Sequence, residues 1–284
     1  MKKVSFFVMA LSIMFAAAAF PVTAMAAESR PPHYILGNKA RYASYLSRNP
    51  DLPYDKIVAL VNAGADKEYY SDIEIIKNPT DFRAIVSKSF AIPGGVEPSS
   101  IVPLPRGGEL QADAAAAFIE MRSAAAELGL NLAVRSSYRN YGSQVASYNL
   151  VRDNYGLDGA EASVARPGHS EHQLGLALDI MHRDGTTGPL TVQGFEYSNE
   201  FFWLLENGYK YGFILRYPQA YVSIHGFVYE PWHWRYVGVR TATAMRDEGI
   251  DTFEEFYGRY LAPEIRFNKQ RIPAPILTSY MPPV

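Results

Sequence analysis

Residues 166–182 read RPGHSEHQLGLALDIMH, and the segment GLALDI (175–180) inside them decides the fold. Its large apolar residues alternate with a period of two. That predicts a strand with Leu176, Leu178 and Ile180 on one face and Gly175, Ala177 and Asp179 on the other. The leucine face belongs to a core. Two small residues followed by a carboxylate are odd for a purely structural strand, and are explained if something bulky and cationic lies over them. The stretch also carries His169, His172 and His182, half of the six histidines in the chain.

Working outward, helical and strand patterns come in mixed order. Upstream, ELQADAAAAFIEMRSAAAELG (109–129) is Ala-rich and apolar at helical spacing, and it stops at Gly129. NLAVRSS (131–137) reads as a strand and SQVASYNLVRDNYG (143–156) as a helix ended by glycine. Downstream, RDGTTGP (183–189) reads as a turn and SNEFFWLLENG (198–208) as a helix. YGFILRY (211–217) and YVSIHGFVYE (221–230) read as strands, paired with each other. VGVRTATAMRDEG (237–249) and TFEEFYGRYLA (252–262) close the domain as helices, the last with a capping box from Thr252 and Glu255. Near the start, residues 38–64 read as two short helices around the turn NPDLP, and IPGGVEPSSIVPLPRGG (92–108) as a Pro/Gly-rich crossing segment. The mixed order with hairpins predicts an α+β fold with a mainly antiparallel central sheet flanked by helices.

Composition removes several function classes. A formal net charge of −2, with no basic cluster, argues against nucleic acid or an anionic membrane as partner. Lys2 and Lys3, the apolar run VSFFVMALSIMFAAAAF (4–20) and the small-x-small triplet Ala24–Ala26 read as an export signal over residues 1–26. Retention of that run as a membrane anchor is the alternative, although it falls short of the ~20 residues a spanning helix needs. Cysteine is absent, so there are no disulfides, and any metal must sit on His, Asp, Glu and oxygen donors.

His172 and Asp179 meet at one metal only if the chain bends. Zinc donors lie ~2 Å from the ion, whereas seven residues of strand span ~23 Å and seven of helix ~10 Å. Gly175 is the natural bend. A histidine near an aspartate also forms ordinary hydrogen-bonded structural pairs, so this pair alone leaves both readings open. YEPWHWRYVG (229–238) supplies Glu230 and His233. Pro231 keeps Glu230 out of helical geometry, and a tight turn places both side chains over one spot. That spacing suits a metal-bound histidine with a carboxylate reaching the metal's water.

SEHQLGLALD (170–179) resembles the SxHxxGxAxD signature of the VanY-type D-alanyl-D-alanine carboxypeptidases. EPWHWRYVG resembles their ExxH segment, SSYRNYGSQ (136–144) their SGYRSxxxQ segment, and GFILRYP (212–218) a stretch before the ExxH. The four matches fall in order over roughly residues 110 to 260. The resemblance implies a hedgehog/DD-peptidase-like fold and one zinc ion held by His172, Asp179 and His233. It implies Glu230 as the catalytic carboxylate. It also implies that Arg139 and Gln144 face the substrate, with Ser170 and Tyr217 as further contacts. Ser137 stands where the family has glycine, and a threonine usual in the family is replaced around SIHGF; both departures bear on substrate preference. Arg139 serves either a developing oxyanion or a terminal carboxylate.

The expected organisation is a signal at 1–26, a small helical N-terminal extension at 27–84, a zinc carboxypeptidase domain at 85–262 and a Pro-rich tail at 263–284. The expected function is an exported D-alanyl-D-alanine carboxypeptidase acting on peptidoglycan stem peptides as a monomer, without nucleic acid or protein partners. L,D-carboxypeptidase action on tetrapeptide stems and a non-catalytic wall-binding zinc module are the alternatives. The other histidines have plainer expectations: His169 a weaker ligand candidate, His182 beyond the strand, His225 at the cleft or packed, His33 in a loop. Trp232 and Trp234 are expected in the core or cleft wall.

Overall fold

In the computed structural model the described residues are 30–181 and 194–262. The expected signal at 1–26, the expected turn at 183–189, His182 and the Pro-rich tail at 263–284 lie outside them. The described residues from His33 onward belong to one compact unit.

Two helices come first, α1 (Lys39–Arg48) and α2 (Tyr54–Asn62), separated as expected by the NPDLP turn. Short strands β1 (Glu74–Ile75) and β2 (Phe90–Ala91) pair in parallel. Strands β3 (Ile101–Pro103) and β4 (Glu109–Gln111) then form a hairpin that feeds α3 (Ala112–Glu127). Next come β5 (Ala133–Ser136), α4 (Tyr141–Ser163), β6 (Ala177–Met181), α5 (Asn199–Asn207) and β7 (Phe213–Leu215). The described chain closes with α6 (Val222–His225), β8 (His233–Tyr236), α7 (Val239–Asp247) and α8 (Phe253–Tyr260).

The central sheet has the order β5-β6-β8-β7, every pair antiparallel. This is the expected α+β architecture. On one face Leu176, Leu178 and Ile180 join Phe118 and Met121 of α3, Leu204 of α5, Phe213 and Trp234 in the main core. Burying each such side chain contributes ~1.5–3 kcal/mol. The other face carries Ala177, Asp179, His233 and Arg235, since Ala177 is opposite Arg235 and Asp179 opposite His233.

The N-terminal helices pack on α8. Tyr42, Tyr45, Ile57, Val58, Leu60 and Val61 form a second cluster with Ile224. Gly258 lets α8 approach α2: a Cβ there would sit 1.8 Å from the Ala59 carbonyl oxygen. Lys56 pairs with Glu255 at 2.9 Å and Arg259 with Asp55 at 2.9 Å across the same seam.

Several local expectations are corrected. The run 221–230 is not a strand: α6 forms there, because Tyr221 and Ile224, one helical turn apart, both pack on the second cluster. The partner of β7 is therefore β8, inside WHWRY. The crossing segment contains β3, and ELQ is spent on β4 rather than on the start of α3. Helix α4 does break at Gly156 (φ 75°), but then resumes to Ser163. Thr252 Oγ accepts the Glu255 N–H at 3.3 Å, while the Glu255 carboxylate turns to Lys56 and Arg259.

Candidate metal centre

The bend that the sequence requires between His172 and Asp179 is present. Residues Glu171–Leu174 form one 3-10 turn, ended by Gly175 in the left-handed region at φ 65°. Its smallness has a different cause from the one expected. A Cβ on Gly175 would lie 2.4 Å from Ile101 Cδ1 and 3.1 Å from the Gln111 nitrogen. The bulky cation on the Ala177 side is Arg235, its cross-strand neighbour, whose guanidinium is fully buried.

His172 reaches the site from this turn, Asp179 from β6, and His233 from the first position of β8, where register sets it opposite Asp179. The turn that ends in His233 is closed by its N–H donating to the Glu230 carbonyl at 3.1 Å. One ligating atom from each of His172, Asp179 and His233 lies within 4.8 Å of the others. Asp179 Oδ1 is 3.4 Å from His172 Nε2 and 3.2 Å from His233 Nδ1. Tetrahedral donors ~2.0–2.1 Å from a zinc ion stand about 3.3 Å apart. The remaining imidazole nitrogens point outward to acceptors. His172 Nδ1 meets the Ser137 carbonyl at 2.7 Å, and His233 Nε2 meets Glu171 Oε2 at 3.5 Å. Each N–H so placed leaves the other nitrogen's lone pair facing the cluster, the arrangement typical of metal-ligating histidines. The donor set fits a divalent ion.

The electrostatics of the metal-free site divide the two histidines. Burial, then the nearby Arg139 charge, lowers the His172 pKa to about 4, so it is neutral and free to ligate. Burial also opposes charge on His233, yet its bonds to Asp179 and Glu171 prevail and raise it to about 9, so a bound metal ion would take the place of a proton there. Asp179 is held well below the usual carboxylate range, since the histidines outweigh its desolvation. Glu230 Oε2 lies 3.8 Å from His233 Nδ1. Burial raises the Glu230 carboxyl to about 8, only partly opposed by His233.

A cavity of about 270 Å³ opens over these groups. Arg139, Ser170, Tyr217, Glu230, Phe227 and Trp232 line it with the triad. Among the described residues, the buried Nε of Arg139 has no hydrogen-bond partner. Tyr217 stacks on the His233 ring, centroids 4.8 Å apart. Two expected substrate contacts do not line the cavity. The Ser137 hydroxyl accepts the Glu109 N–H at 2.9 Å, and its carbonyl serves His172. Gln144 is fully buried, and its Nε2 holds the Ala165 carbonyl at 2.8 Å. His169 is bonded to the Ser87 carbonyl and His225 packs against Tyr217; neither belongs to the triad. His33 sits in a loop but is buried, meeting the Asp55 carbonyl. Trp234 is core and Trp232 cleft wall.

Beneath the centre lies a charged network missed in the sequence. Glu171 Oε1 accepts Arg216 Nε at 2.8 Å and Arg235 Nη1 at 2.7 Å. Arg216 also forks onto Glu254 of α8 at 2.9 and 2.6 Å, and Arg235 Nη2 donates to the Phe82 and Ala84 carbonyls. The signal was present: single arginines in the apolar strand patterns FILRYP and WHWRY, and a glutamate beside a ligating histidine.

A family model described as VanY, D-alanyl-D-alanine carboxypeptidase, matches residues 107–239. The Bacillus subtilis protein named "Putative carboxypeptidase YodJ" is 36% identical over 214 residues, 68% of this chain and 75% of its own length. Among solved structures, the LdcB LD-carboxypeptidase matches with a TM-score of 0.60 at 35% identity, over 68% of this chain and 92% of its own. VanYB in complex with D-alanine-D-alanine matches at 0.54 and 31%, over 61% and 96%. The vancomycin resistance D,D-pentapeptidase VanY in complex with Zn(II) matches at 0.53 and 32%, over 63% and 99%. Fold, site and these likenesses define the class: a homologue of zinc carboxypeptidases. The chain belongs to the VanY D-alanyl-D-alanine carboxypeptidase family.

Proposed function

We propose that this protein is an exported carboxypeptidase that removes the C-terminal D-alanine from the D-Ala-D-Ala end of peptidoglycan stem peptides, with zinc held by His172, Asp179 and His233. The observation that carries the reading is the convergence of Glu230 and Arg139 on the same buried cavity as the triad. A metal site that only stabilises a binding module needs neither.

Zinc bound there supplies an acidified water and polarises a carbonyl. The protein's own groups do the rest. Glu230 is protonated near neutral pH in the metal-free site, and the charge of a bound zinc would favour its ionised form; as the carboxylate it accepts the proton of the attacking water and returns it to the departing amine. Arg139 presents an unpartnered, buried N–H to a substrate anion, either the developing oxyanion or the terminal carboxylate. Tyr217 holds the His233 ring by stacking, and Trp232 and Phe227 wall the cavity against water.

A second reading keeps the same machinery and moves the bond by one residue, trimming tetrapeptide to tripeptide stems. The likeness to the LdcB LD-carboxypeptidase favours it. Mass spectrometry of synthetic stems incubated with the protein separates the two. Pentapeptide losing one alanine, blocked by chelator, supports D,D cleavage; loss from tetrapeptide instead supports L,D cleavage. Zinc-loaded protein that cleaves neither overturns both.

A further inference from the structure

One guanidinium at the cavity has no part in this chemistry. Arg135 lies on β5 where its register with β6 slips: Val134 is opposite Ile180 and Ser136 opposite Asp179, which leaves Arg135 as the extra residue. In an unbroken strand Arg135 and Ser136 would point to opposite faces. A bulge breaks that alternation and re-aims a side chain. Here both residues line the cavity with His172 and Asp179. Alternation from Val134, opposite the core-facing Ile180, already sets Arg135 on the face of Asp179, and the bulge adds Ser136 to that face, so that a charge and a small polar residue stand side by side at the mouth of the site.

Arg135 is exposed, and among the described residues no carboxylate pairs with it. The acids lining the cavity, Glu171, Asp179 and Glu230, all belong to the metal centre. The outer wall is Ser147, Val151, Ser163, Val164 and Ala165, which are small or neutral. Among the described residues, Arg135 is thus the one charged side chain of the outer cavity. Arg139 lies deeper; burial lowers its pKa, and the charge of Arg135 adds to that shift. Two guanidiniums facing one small cavity repel each other, and anions on the ligand relieve that repulsion.

We propose that Arg135 is a second anion subsite, which binds a carboxylate on the acyl side of the cleaved bond while the terminal carboxylate is held deeper. This rests on the peptidoglycan reading above and adds a substrate class: stems that carry a free carboxylate upstream of the terminal D-alanine. Two sources offer it, the α-carboxylate of an isoglutamyl residue and the side-chain carboxylate of a diaminopimelyl residue. A lysyl stem lacks the second.

The test is calorimetric binding to the zinc-loaded full chain carrying Glu230→Gln, which stops turnover. Four synthetic stems are used: both upstream carboxylates free, each amidated in turn, and both amidated. Each is titrated with Arg135 retained, with Arg135→Gln and with Arg135→Lys. Amidating the carboxylate that Arg135 binds should weaken binding about five- to tenfold in the Arg135 protein and not in Arg135→Gln. Which single amidation does so identifies the source, and Arg135→Lys should recover part of the loss. Binding of all four stems within twofold between Arg135 and Arg135→Gln overturns the subsite, as does an equal loss on the doubly amidated stem. Cleavage of the stem with both carboxylates free at equal rates with either residue at 135, in proteins keeping Glu230, would retain the carboxypeptidase reading and remove only the subsite. No binding of any stem overturns both.

Discussion

Replacing Glu171 with glutamine tests whether the network under the metal centre holds His233 in its ligating form. Glu171 is 1% exposed and bridges three groups: Arg216, Arg235 and the outward nitrogen of His233. Burial alone would raise its pKa, but the two guanidiniums outweigh that and keep it well below the usual range, so it stays charged. Removing one partner of a buried ion pair costs about 3–5 kcal/mol. Glutamine keeps the shape and one acceptor, which places the loss near ~3 kcal/mol. For a chain of this size each kcal/mol moves Tm by about 2–4 °C, so metal-free protein should melt ~6–12 °C lower. The outward N–H of His233 loses an anionic acceptor, and losses of that kind cost about 10- to 100-fold in metal affinity. Chelator-competition titration with zinc reads the affinity, and thermal scans without metal read the network separately. A Glu171→Gln protein that binds zinc within twofold of the unmodified chain and melts within ~2 °C of it refutes the reasoning.

Glu230→Gln should keep zinc in the same titration and lose at least 10²-fold in turnover, whereas His172→Ala should lose both; near-normal turnover in Glu230→Gln removes the proposed base. Gly175→Ala should destabilise by roughly 2–5 kcal/mol, from the left-handed backbone plus overpacking against Ile101, as measured by urea unfolding. Buried His225 accepts the Phe227 N–H at Nδ1, and burial lowers its pKa below the ordinary 6.5. The unfolded chain then binds the extra proton, so stability should be full above pH ~6.5 and fall as pH drops below it. His225→Gln should flatten that acid limb of a Tm-versus-pH series, and an unchanged limb excludes His225 as a contributor.

Much was legible in the sequence because it depends on near neighbours. The alternation in GLALDI marked both the strand and its core face, since a strand's period of two is written directly in residue order. The same holds for α3, α5, α7 and α8, whose apolar spacing and caps are local. Proximity of His172, Asp179 and His233 was legible only through ordered motifs, because β6 and β8 lie more than fifty residues apart in the chain and their register is a tertiary fact. Where local pattern and distant packing disagreed, packing won: the second cluster captured Tyr221 and Ile224 and turned an alternating run into α6. The roles of Glu171, Arg216 and Arg235 were set in the same way. A lone charge in an apolar pattern shows that something must satisfy it once it is buried, but only the assembled fold decides which groups come within reach.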